Sequence, residues 1–239
     1  MNYLKVGDSK KFIVFLHGWA ADLTSFVFAK DYFDDYSKLF VDFAGFGKSN
    51  EPDRAYYVGD YVDDLKCLLS QFEIEELVIV GHSFGGRVAV KFAHRYQSVY
   101  KNFKLCLVCA AGLRQKLSLL RRLQIFRYKK LKAKSQKNPN LKQRLSSFGS
   151  SDYKRLSSIM KQTFVNVVNE DLSEEAKNIM CNTAIIWGEN DKEVKLKIAK
   201  KFNRYIKHSQ LFVIKKAGHF CFVDNMQEFL IILDTFVKN

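Results

Sequence analysis

The sequence predicts an α/β fold, in which a mainly parallel, twisted sheet is flanked by helices and carries a helical cap insertion. Three observations support this prediction. Apolar, β-branched runs alternate with helical patterns over most of the 239 residues, as expected for βα units. One of these runs leads through a glycine-bounded turn directly into a helical pattern. Between two later runs lies a long basic segment whose spacing indicates helices.

The predicted elements follow in chain order. Strands are expected at residues 12–16, 38–42, 77–81, 104–109, 183–187 and 210–214. Residues 2–6 are long enough to form one further strand at the edge of the sheet. We therefore predict one core domain from residues 1–112 and 183–239, with residues 113–182 inserted as a basic helical cap.

The third strand ends in a sequence that fits a nucleophile elbow. Residues 77–90 read LVIVGHSFGGRVAV, and positions 81–85 within them match G-x-S-x-G. A sharp strand-to-helix turn forces the serine into a strained backbone conformation, and side chains two residues away on either side would collide. Gly81 and Gly85 relieve this crowding, so Ser83 is expected to present its hydroxyl at the C-terminal edge of the sheet.

Two nucleotide-binding patterns are excluded by spacing. A dinucleotide fingerprint, G-x-G-x-x-G, counted from Gly81 would need glycine where the chain has Ser83. A P-loop ending in Gly47-Lys48-Ser49 would need its first glycine at position 42, which is Asp42.

A serine hydroxyl is a poor nucleophile alone, so the elbow predicts a base and an orienting acid later in the chain. The strand at 183–187 is followed by Asp191, and the strand at 210–214 is followed by His219. Both would lie at the sheet edge that carries Ser83. Glu189 and Asp224 are the competing acids.

The other four histidines have different predicted places. His94 and His208 are expected to be solvated, and His82 is expected to be structural beside the nucleophile. His17 belongs to the loop after the first predicted strand. In this loop Gly18 allows a close backbone approach, so the N–H of Trp19 and the N–H of Phe84 are predicted to form the oxyanion hole.

These motifs resemble those of the α/β-hydrolase fold family. Matching blocks occur in order: LHGW at 16–19, DFAGFGKS at 42–49, GHSFGG at 81–86, WGEND at 187–191 and AGHF at 217–220. The resemblance implies a Ser83–His219–Asp191 triad, with Asp42, Gly45 and Gly47 in a turn without chemistry. Relatives with an HGW loop include carboxylesterases, acyl-carrier-protein ester hydrolases and meta-cleavage C–C hydrolases.

At two positions this chain differs from particular subgroups of the family, and these differences argue against the reactions of those subgroups. The C–C hydrolases usually have asparagine before the nucleophile, where this chain has His82. Dehalogenases and epoxide hydrolases use a carboxylate nucleophile, which Ser83 argues against. We therefore expect hydrolysis of a carboxylic ester or thioester of a small-molecule acyl substrate. C–C bond hydrolysis with the same triad and ligand binding without catalysis remain alternatives.

The predicted cap holds the excess charge of the chain. Residues 113–162 contain 15 Lys and Arg and one acidic residue, Asp152, and the remaining residues contain 24 of each sign. Leucines at 117, 120 and 123 indicate an amphipathic helix, residues 138–140 break it, and a second helical pattern runs from about residue 153 to residue 169.

Three explanations of this charge remain open. The cap face is simply solvated, or it attracts an anionic partner or substrate such as an acyl carrier protein. Alternatively, it docks on an anionic membrane surface, where each Lys or Arg adds about 1 kcal/mol. No nucleic acid partner is expected, because no binding fold is recognisable.

We expect the substrate pocket to lie between the cap and the sheet edge, near Phe126, Ile159, Phe164 and Phe220. The five cysteines lack framework spacing, so a reducing compartment is expected. Cys106 and Cys109 would face opposite sides of a strand and be buried structural residues. No metal and no cofactor are predicted. Without a signal-peptide pattern or an apolar run of ~20 residues, the protein is expected to be cytoplasmic.

Overall fold

The computed structural model of the chain describes residues 1–114, 126–127 and 156–239. In these residues a seven-stranded sheet has the order β1-β3-β2-β4-β5-β6-β7. The strands are β1 (Asn2–Val6), β2 (Lys11–Leu16), β3 (Ser37–Asp42), β4 (Glu76–His82), β5 (Lys104–Val108), β6 (Asn182–Gly188) and β7 (Ser209–Ile214). β1 pairs antiparallel with β3, and every other pairing is parallel. The predicted α/β fold is confirmed.

Helices cover the sheet and connect its strands. They are a 3-10 helix (Leu23–Asp31), α1 (Val58–Leu69), α2 (Phe84–Tyr96), α3 (Ser158–Asn169), α4 (Ser173–Lys177), α5 (Leu196–Tyr205), α6 (Cys221–Asp224) and α7 (Met226–Lys238). α2 packs on β4 and β5, and α5 packs on β6 and β7. The central strands are buried because they are continuous apolar runs, as expected for a parallel sheet covered on both faces.

The predicted turn after β3 is structural. The Asp42 carboxylate accepts hydrogen bonds from the backbone N–H groups of Leu23 and Lys48, at 2.7 and 2.9 Å. Gly47 has a φ of 55°, and a Cβ there would lie 2.3 Å from Cγ of Asp42. The carboxylate therefore stabilises the turn through both of its oxygens. Glycine is needed at position 47 because any side chain there would clash with this carboxylate.

The second helix predicted in the insertion is present, but it begins later than expected. α3 starts at Ser158, where the Ser157 hydroxyl accepts from the Met160 N–H and caps the helix. The first predicted helix and its break lie outside the described residues, apart from Phe126 and Arg127, which are exposed. The boundaries of the cap therefore remain a prediction.

α3 is anchored to the core by buried polar contacts. Thr163 is fully buried, and its hydroxyl accepts from the Tyr56 N–H at 3.0 Å. Just past the helix, the Glu170 carboxylate forms an ion pair with Lys91 of α2 and accepts from the Val58 N–H of α1. These contacts fix α3 beside the carboxyl ends of the strands. Within the residues that the structure describes, no helix is long and apolar enough to cross a membrane.

Candidate active site

Ser83 occupies a strained turn between β4 and α2. Its φ is 51° and its ψ is −108°, outside the regions that a non-glycine residue normally adopts. The Ser83 N–H donates to the Val108 carbonyl at 3.1 Å, and the Ser83 carbonyl accepts from Ala111 at 2.9 Å. Hydrogen bonds with β5 and the segment after it therefore hold the strained backbone in place.

The two glycines of the elbow are needed for space. A Cβ on Gly81 would lie 2.6 Å from the Gly85 carbonyl oxygen. A Cβ on Gly85 would lie 2.3 Å from the Leu16 carbonyl oxygen. Both distances are far below van der Waals contact. The backbone therefore approaches Gly81 and Gly85 as closely as the motif predicts.

His219 and Asp191 are joined by a hydrogen bond. The Nδ1–H of His219 donates to Oδ2 of Asp191 at 2.8 Å, and both side chains are buried. The other carboxylate oxygen of Asp191 accepts from the N–H groups of Glu193 and Val194, at 2.8 and 2.9 Å. Backbone N–H groups of the loop after β6 thus hold the carboxylate in the orientation that lets it accept from the imidazole.

The competing acids have other partners. Glu189 accepts from the Lys216 N–H at 3.1 Å, and Asp224 accepts from the Gly218 N–H at 2.6 Å. Both carboxylates brace the loops around His219 from outside, and Asp191 makes the hydrogen bond with the imidazole.

Hydrogen bonding and charge raise the pKa of His219 and lower that of Asp191. Burial is the largest single influence and favours the neutral imidazole and the protonated acid, but the hydrogen bonds and charges around each group together outweigh it, the bond between His219 and Asp191 first among them. Glu193 raises the pKa of His219 further, because its carboxylate lies 3.5 Å from Nε2. An imidazolium at this position is therefore well stabilised.

Ser83 and His219 line one cavity without a direct hydrogen bond in this structure. Among the described residues, the Ser83 hydroxyl has no hydrogen-bonding partner, and Nε2 of His219 faces Glu193. Ligand-free active sites commonly have long nucleophile–base separations that shorten when substrate binds.

The remaining histidines lie where the sequence predicts. His94 and His208 are exposed. His17 is buried: its Nδ1–H donates to the Gly18 carbonyl and its Nε2 accepts from the Phe43 N–H. It therefore shapes the loop that carries Trp19.

His82 does more than fill the core. Its Nε2–H donates to the backbone carbonyl of His219 at 3.0 Å, and the two ring centroids lie 4.8 Å apart. Burial, and then the charge of His219, lower the pKa of His82 to about 3. His82 is thus a neutral group that positions the loop of His219 and lines the cavity.

Two backbone N–H groups are available to stabilise negative charge. In the described part of the chain, no acceptor is hydrogen-bonded to the N–H of Trp19 or to that of Phe84. Both residues line the cavity, and their side chains pack edge to face at 5.3 Å. The Gly85 N–H donates to the His17 carbonyl at 3.0 Å and fixes the two loops side by side.

The cavity has a volume of about 320 Å³ and a mainly apolar lining. Phe164 and Phe220 line it, as the sequence suggested. Phe126 and Ile159 do not: the Phe126 side chain is 64% exposed, and Ile159 is five positions before Phe164 on α3. Five residues correspond to about 140° around a helix, so Ile159 lies on another face. These two assignments are corrected.

Sequence reasoning missed two charged residues of the cavity. Arg87 and Glu193 both line it. Helical spacing could have found Arg87, because it lies one turn after Ser83 on α2. No local pattern marks Glu193.

Cys109 lies beside the His219–Asp191 pair, and Cys221 lies beside Cys109. Cys109 falls just beyond β5 with a φ of 44°, so the predicted strand is one residue too long. Its Sγ lies 3.7 Å from that of Cys221, and both residues are buried.

Potential metal-ligand atoms of Cys109, Asp191 and His219 lie within 4.8 Å of one another. The Cys221 contact and then burial raise the pKa of Cys109, and a protonated thiol is a weak metal ligand.

Comparison with known proteins agrees with this fold. Residues 13–230 match the model of the Alpha/beta hydrolase family. The AB hydrolase superfamily protein YisY of Bacillus subtilis is 25% identical over 247 residues, covering 90% of this chain and 87% of that protein. A proline iminopeptidase of Saccharolobus solfataricus is 26% identical over 275 residues, covering 98% and 86%.

Solved structures share the fold. An esterase from Exiguobacterium antarcticum has a TM-score of 0.76 at 23% identity, covering 99% of this chain and 95% of that one. A meta-cleavage product hydrolase from Pseudomonas fluorescens has a TM-score of 0.70 at 22% identity, covering 99% and 93%. The chain belongs to the alpha/beta hydrolase family.

Proposed function

We propose that this protein is a serine hydrolase that cleaves a carboxylic ester or thioester through an acyl-enzyme on Ser83. The observation that carries the proposal is the convergence on one cavity of a strained serine, an aspartate-bonded histidine and two backbone N–H groups that have no acceptor among the described residues. Acyl transfer needs these three components: a nucleophile, a base, and donors for an oxyanion.

Each residue has a defined part in the proposed reaction. Neutral His219 accepts the hydroxyl proton at Nε2 as Ser83 Oγ attacks the substrate carbonyl carbon. The carbonyl oxygen becomes an oxyanion and accepts from the N–H groups of Trp19 and Phe84. His219 then protonates the leaving alcohol or thiol, which departs and leaves the acyl group on Ser83. Asp191 remains ionised and stabilises the imidazolium.

A water molecule completes the cycle. It attacks the acyl carbonyl carbon while His219 takes its proton, and the second tetrahedral intermediate uses the same two N–H groups. Collapse returns the proton from His219 to Ser83 Oγ and releases the carboxylic acid. The apolar lining of the cavity, including Trp19, Phe164 and Phe220, supports an acyl group with a hydrocarbon portion.

C–C bond hydrolysis is the second candidate. Its support is the fold shared with a meta-cleavage product hydrolase and similarity to a 2-hydroxy-6-oxo-2,4-heptadienoate hydrolase of Pseudomonas putida, 21% identical over 254 residues, 94% of this chain and 88% of that protein. Activity on a dienoate without activity on simple esters would select it.

We also propose that the protein works in the cytoplasm and that its basic segment, residues 113–162, attracts an anionic substrate, an acyl carrier protein or an anionic membrane surface. The charge of that segment supports this proposal. Its long-range attraction should weaken with salt.

The proposal is tested by labelling and turnover together. A fluorophosphonate should modify wild-type protein at Ser83, and Ser83→Ala should remain unlabelled. A series of p-nitrophenyl esters of increasing acyl length should be hydrolysed by wild type and not by Ser83→Ala. Labelling without turnover on any ester would favour C–C hydrolysis, and failure of both would favour a binding protein.

A further inference from the structure

Arg87 places a positive charge at the wall of the active-site cavity. It follows Ser83, the N-cap of α2, by four residues, which is about one turn of the helix. Arg87 lines the cavity together with Ser83, His219 and the α3 residues Phe164 and Val168.

The hydrogen bonds of Arg87 leave its charge without a carboxylate. Nη1 donates to the Glu170 carbonyl at 2.8 Å, and Nη2 donates to the Val168 carbonyl at 3.4 Å. The Glu170 carboxylate is instead bound by Lys91 and the Val58 N–H. Within the described residues, Arg87 forms no ion pair. A guanidinium has five N–H donors, so donors remain for another acceptor.

Burial lowers the pKa of Arg87 to about 10, with Glu170 and Asp171 opposing the shift. The side chain is therefore still a cation at neutral pH. The described hydrogen-bond partners of this partly buried cation are neutral carbonyls. An anion would form a stronger, charge-assisted hydrogen bond with it.

We propose that Arg87 binds a carboxylate on the acyl portion of the substrate, which makes the substrate an ester or thioester of a dicarboxylic acid. This inference rests on the proposed function, because it uses Ser83 as the site of acylation. Arg87 is then the residue that determines specificity for an anionic acyl chain.

The chemistry of the leaving group assigns the anion to the acyl portion. His219 protonates the leaving group, so the leaving group lies beside Nε2 of His219. The Glu193 carboxylate is 3.5 Å from that atom and disfavours a negative charge there. The acyl chain extends from the carbonyl carbon away from the leaving group, and the unpaired cation among the described lining residues is Arg87.

The test compares matched substrates. Monoethyl esters of succinate, glutarate and adipate each have a neutral counterpart in which an amide replaces the free carboxylate. A third substrate, butyryl glycolate, carries its carboxylate on the leaving group. We expect wild type to favour the best half-ester over its amide by roughly 10- to 100-fold in kcat/KM, the range of a hydrogen bond to a charged group.

The ratio of half-ester to amide is the readout in variants. Arg87→Met should bring this ratio near one, and Arg87→Lys should retain part of it, since it keeps the charge but loses the planar fork. A purely structural role for Arg87, as an anchor for the end of α3, would lower kcat/KM for both substrates and leave the ratio at its wild-type value. That outcome would overturn the proposal.

Wild-type measurements decide the matter even if Arg87→Met does not fold. A ratio near one at all three chain lengths, or a preference for butyryl glycolate, would overturn the role of Arg87. Competitive inhibition of neutral-ester hydrolysis by glutarate, absent with glutaramide, would support it. Hydrolysis of neutral esters without an anion preference contradicts only this inference, whereas absence of Ser83 labelling and of all ester hydrolysis contradicts the proposed function.

Discussion

His219 lies between two carboxylates that act on different nitrogens. Asp191 accepts from Nδ1 at 2.8 Å, and Glu193 lies 3.5 Å from Nε2. The first contact fixes the tautomer that a base needs, with Nε2 unprotonated. The second favours a proton on Nε2 and therefore competes with catalysis by a neutral imidazole.

The pH dependence of turnover should reflect this competition. Because the pKa of His219 is raised above 6.5 and only the neutral imidazole can accept the Ser83 proton, kcat/KM should increase with pH through a pKa above 6.5. Glu193→Gln should move the profile to lower pH. Glu189→Gln is the matched control, because that carboxylate binds Lys216 N–H. An unchanged profile in Glu193→Gln would contradict this account.

The same shift has a consequence for folding. A histidine whose pKa is higher in the folded chain stabilises the fold below its unfolded value of about 6.5, and this contribution is lost as pH rises through the folded pKa. Urea denaturation of wild type and His219→Gln at several pH values should show their stability difference shrinking as pH rises through that pKa. A difference that grows with pH would contradict the direction of the shift.

Asp191→Asn should lower kcat by roughly 10⁴-fold, the size reported for loss of tautomer control in serine hydrolases with a triad. The amide oxygen can still accept from Glu193 and Val194 N–H, so the loop should keep its shape. Steady-state kinetics and a thermal melt should therefore show lost turnover with a similar melting temperature. Loss of less than about tenfold would exclude Asp191 as the orienting acid.

The sequence allowed prediction of residues that directly follow a strongly patterned strand. Ser83, Asp191 and His219 each come after such a run, so the shared sheet edge brings them together. The burial of Cys109 was predicted, but its position beside the His219–Asp191 pair and the position of Glu193 could not be, because both depend on loop conformation. Phe126 and Ile159 were misplaced for a related reason: hydrophobicity alone does not give the face of a helix.

At the scale of elements, the elbow depends on the approach of α2 to the loop after β2. Gly85→Ala would place a methyl group 2.3 Å from the Leu16 carbonyl, and we expect it to cost more than about 3 kcal/mol, the upper end of ordinary overpacking. Gly59→Ala is the control, since its methyl would meet the end of the flexible Arg95 side chain at 3.1 Å. Urea denaturation should separate the two, and equal stabilities would contradict the close approach.

The attachment of α3 to the core can be tested through one amide. Thr163→Val removes the hydroxyl that accepts from the Tyr56 N–H, and Thr163→Ser retains it. Hydrogen exchange should show the Tyr56 amide protected in wild type and Thr163→Ser but exchanging faster in Thr163→Val. The unmet hydrogen bond should also cost about 1–3 kcal/mol. Equal protection in all three proteins would show that another group holds α3.

The order of strands and helices could be predicted because parallel strands are continuous apolar runs between turns. Strand ends were less accurate, as with Cys109, because the last residue of a strand is set by hydrogen bonding. The start of α3 at Ser158 was missed since the apolar spacing continues upstream of its cap, Ser157.

At the scale of the whole molecule, charge is concentrated in one segment. The chain has a net charge of +14, all of it accounted for by residues 113–162. If this segment attracts an anionic substrate, KM for monoethyl glutarate should rise between about 0.1 and 1 M ionic strength, over which the Debye length falls from ~10 to ~3 Å. KM for neutral p-nitrophenyl butyrate should stay constant. An equal response of both substrates would contradict electrostatic attraction.

The strand order also governs when a newly made chain acquires the complete candidate site. β4, which leads to Ser83, lies in the middle of the sheet, whereas β7, which leads to His219, is an edge strand that follows more than 100 residues later. Domains fold as units once enough chain has emerged from the ribosome. A nascent chain that stops before residue 219 therefore has Ser83 without the base that the proposed reaction needs, and we expect such a chain to leave esters intact although its nucleophile strand is already made.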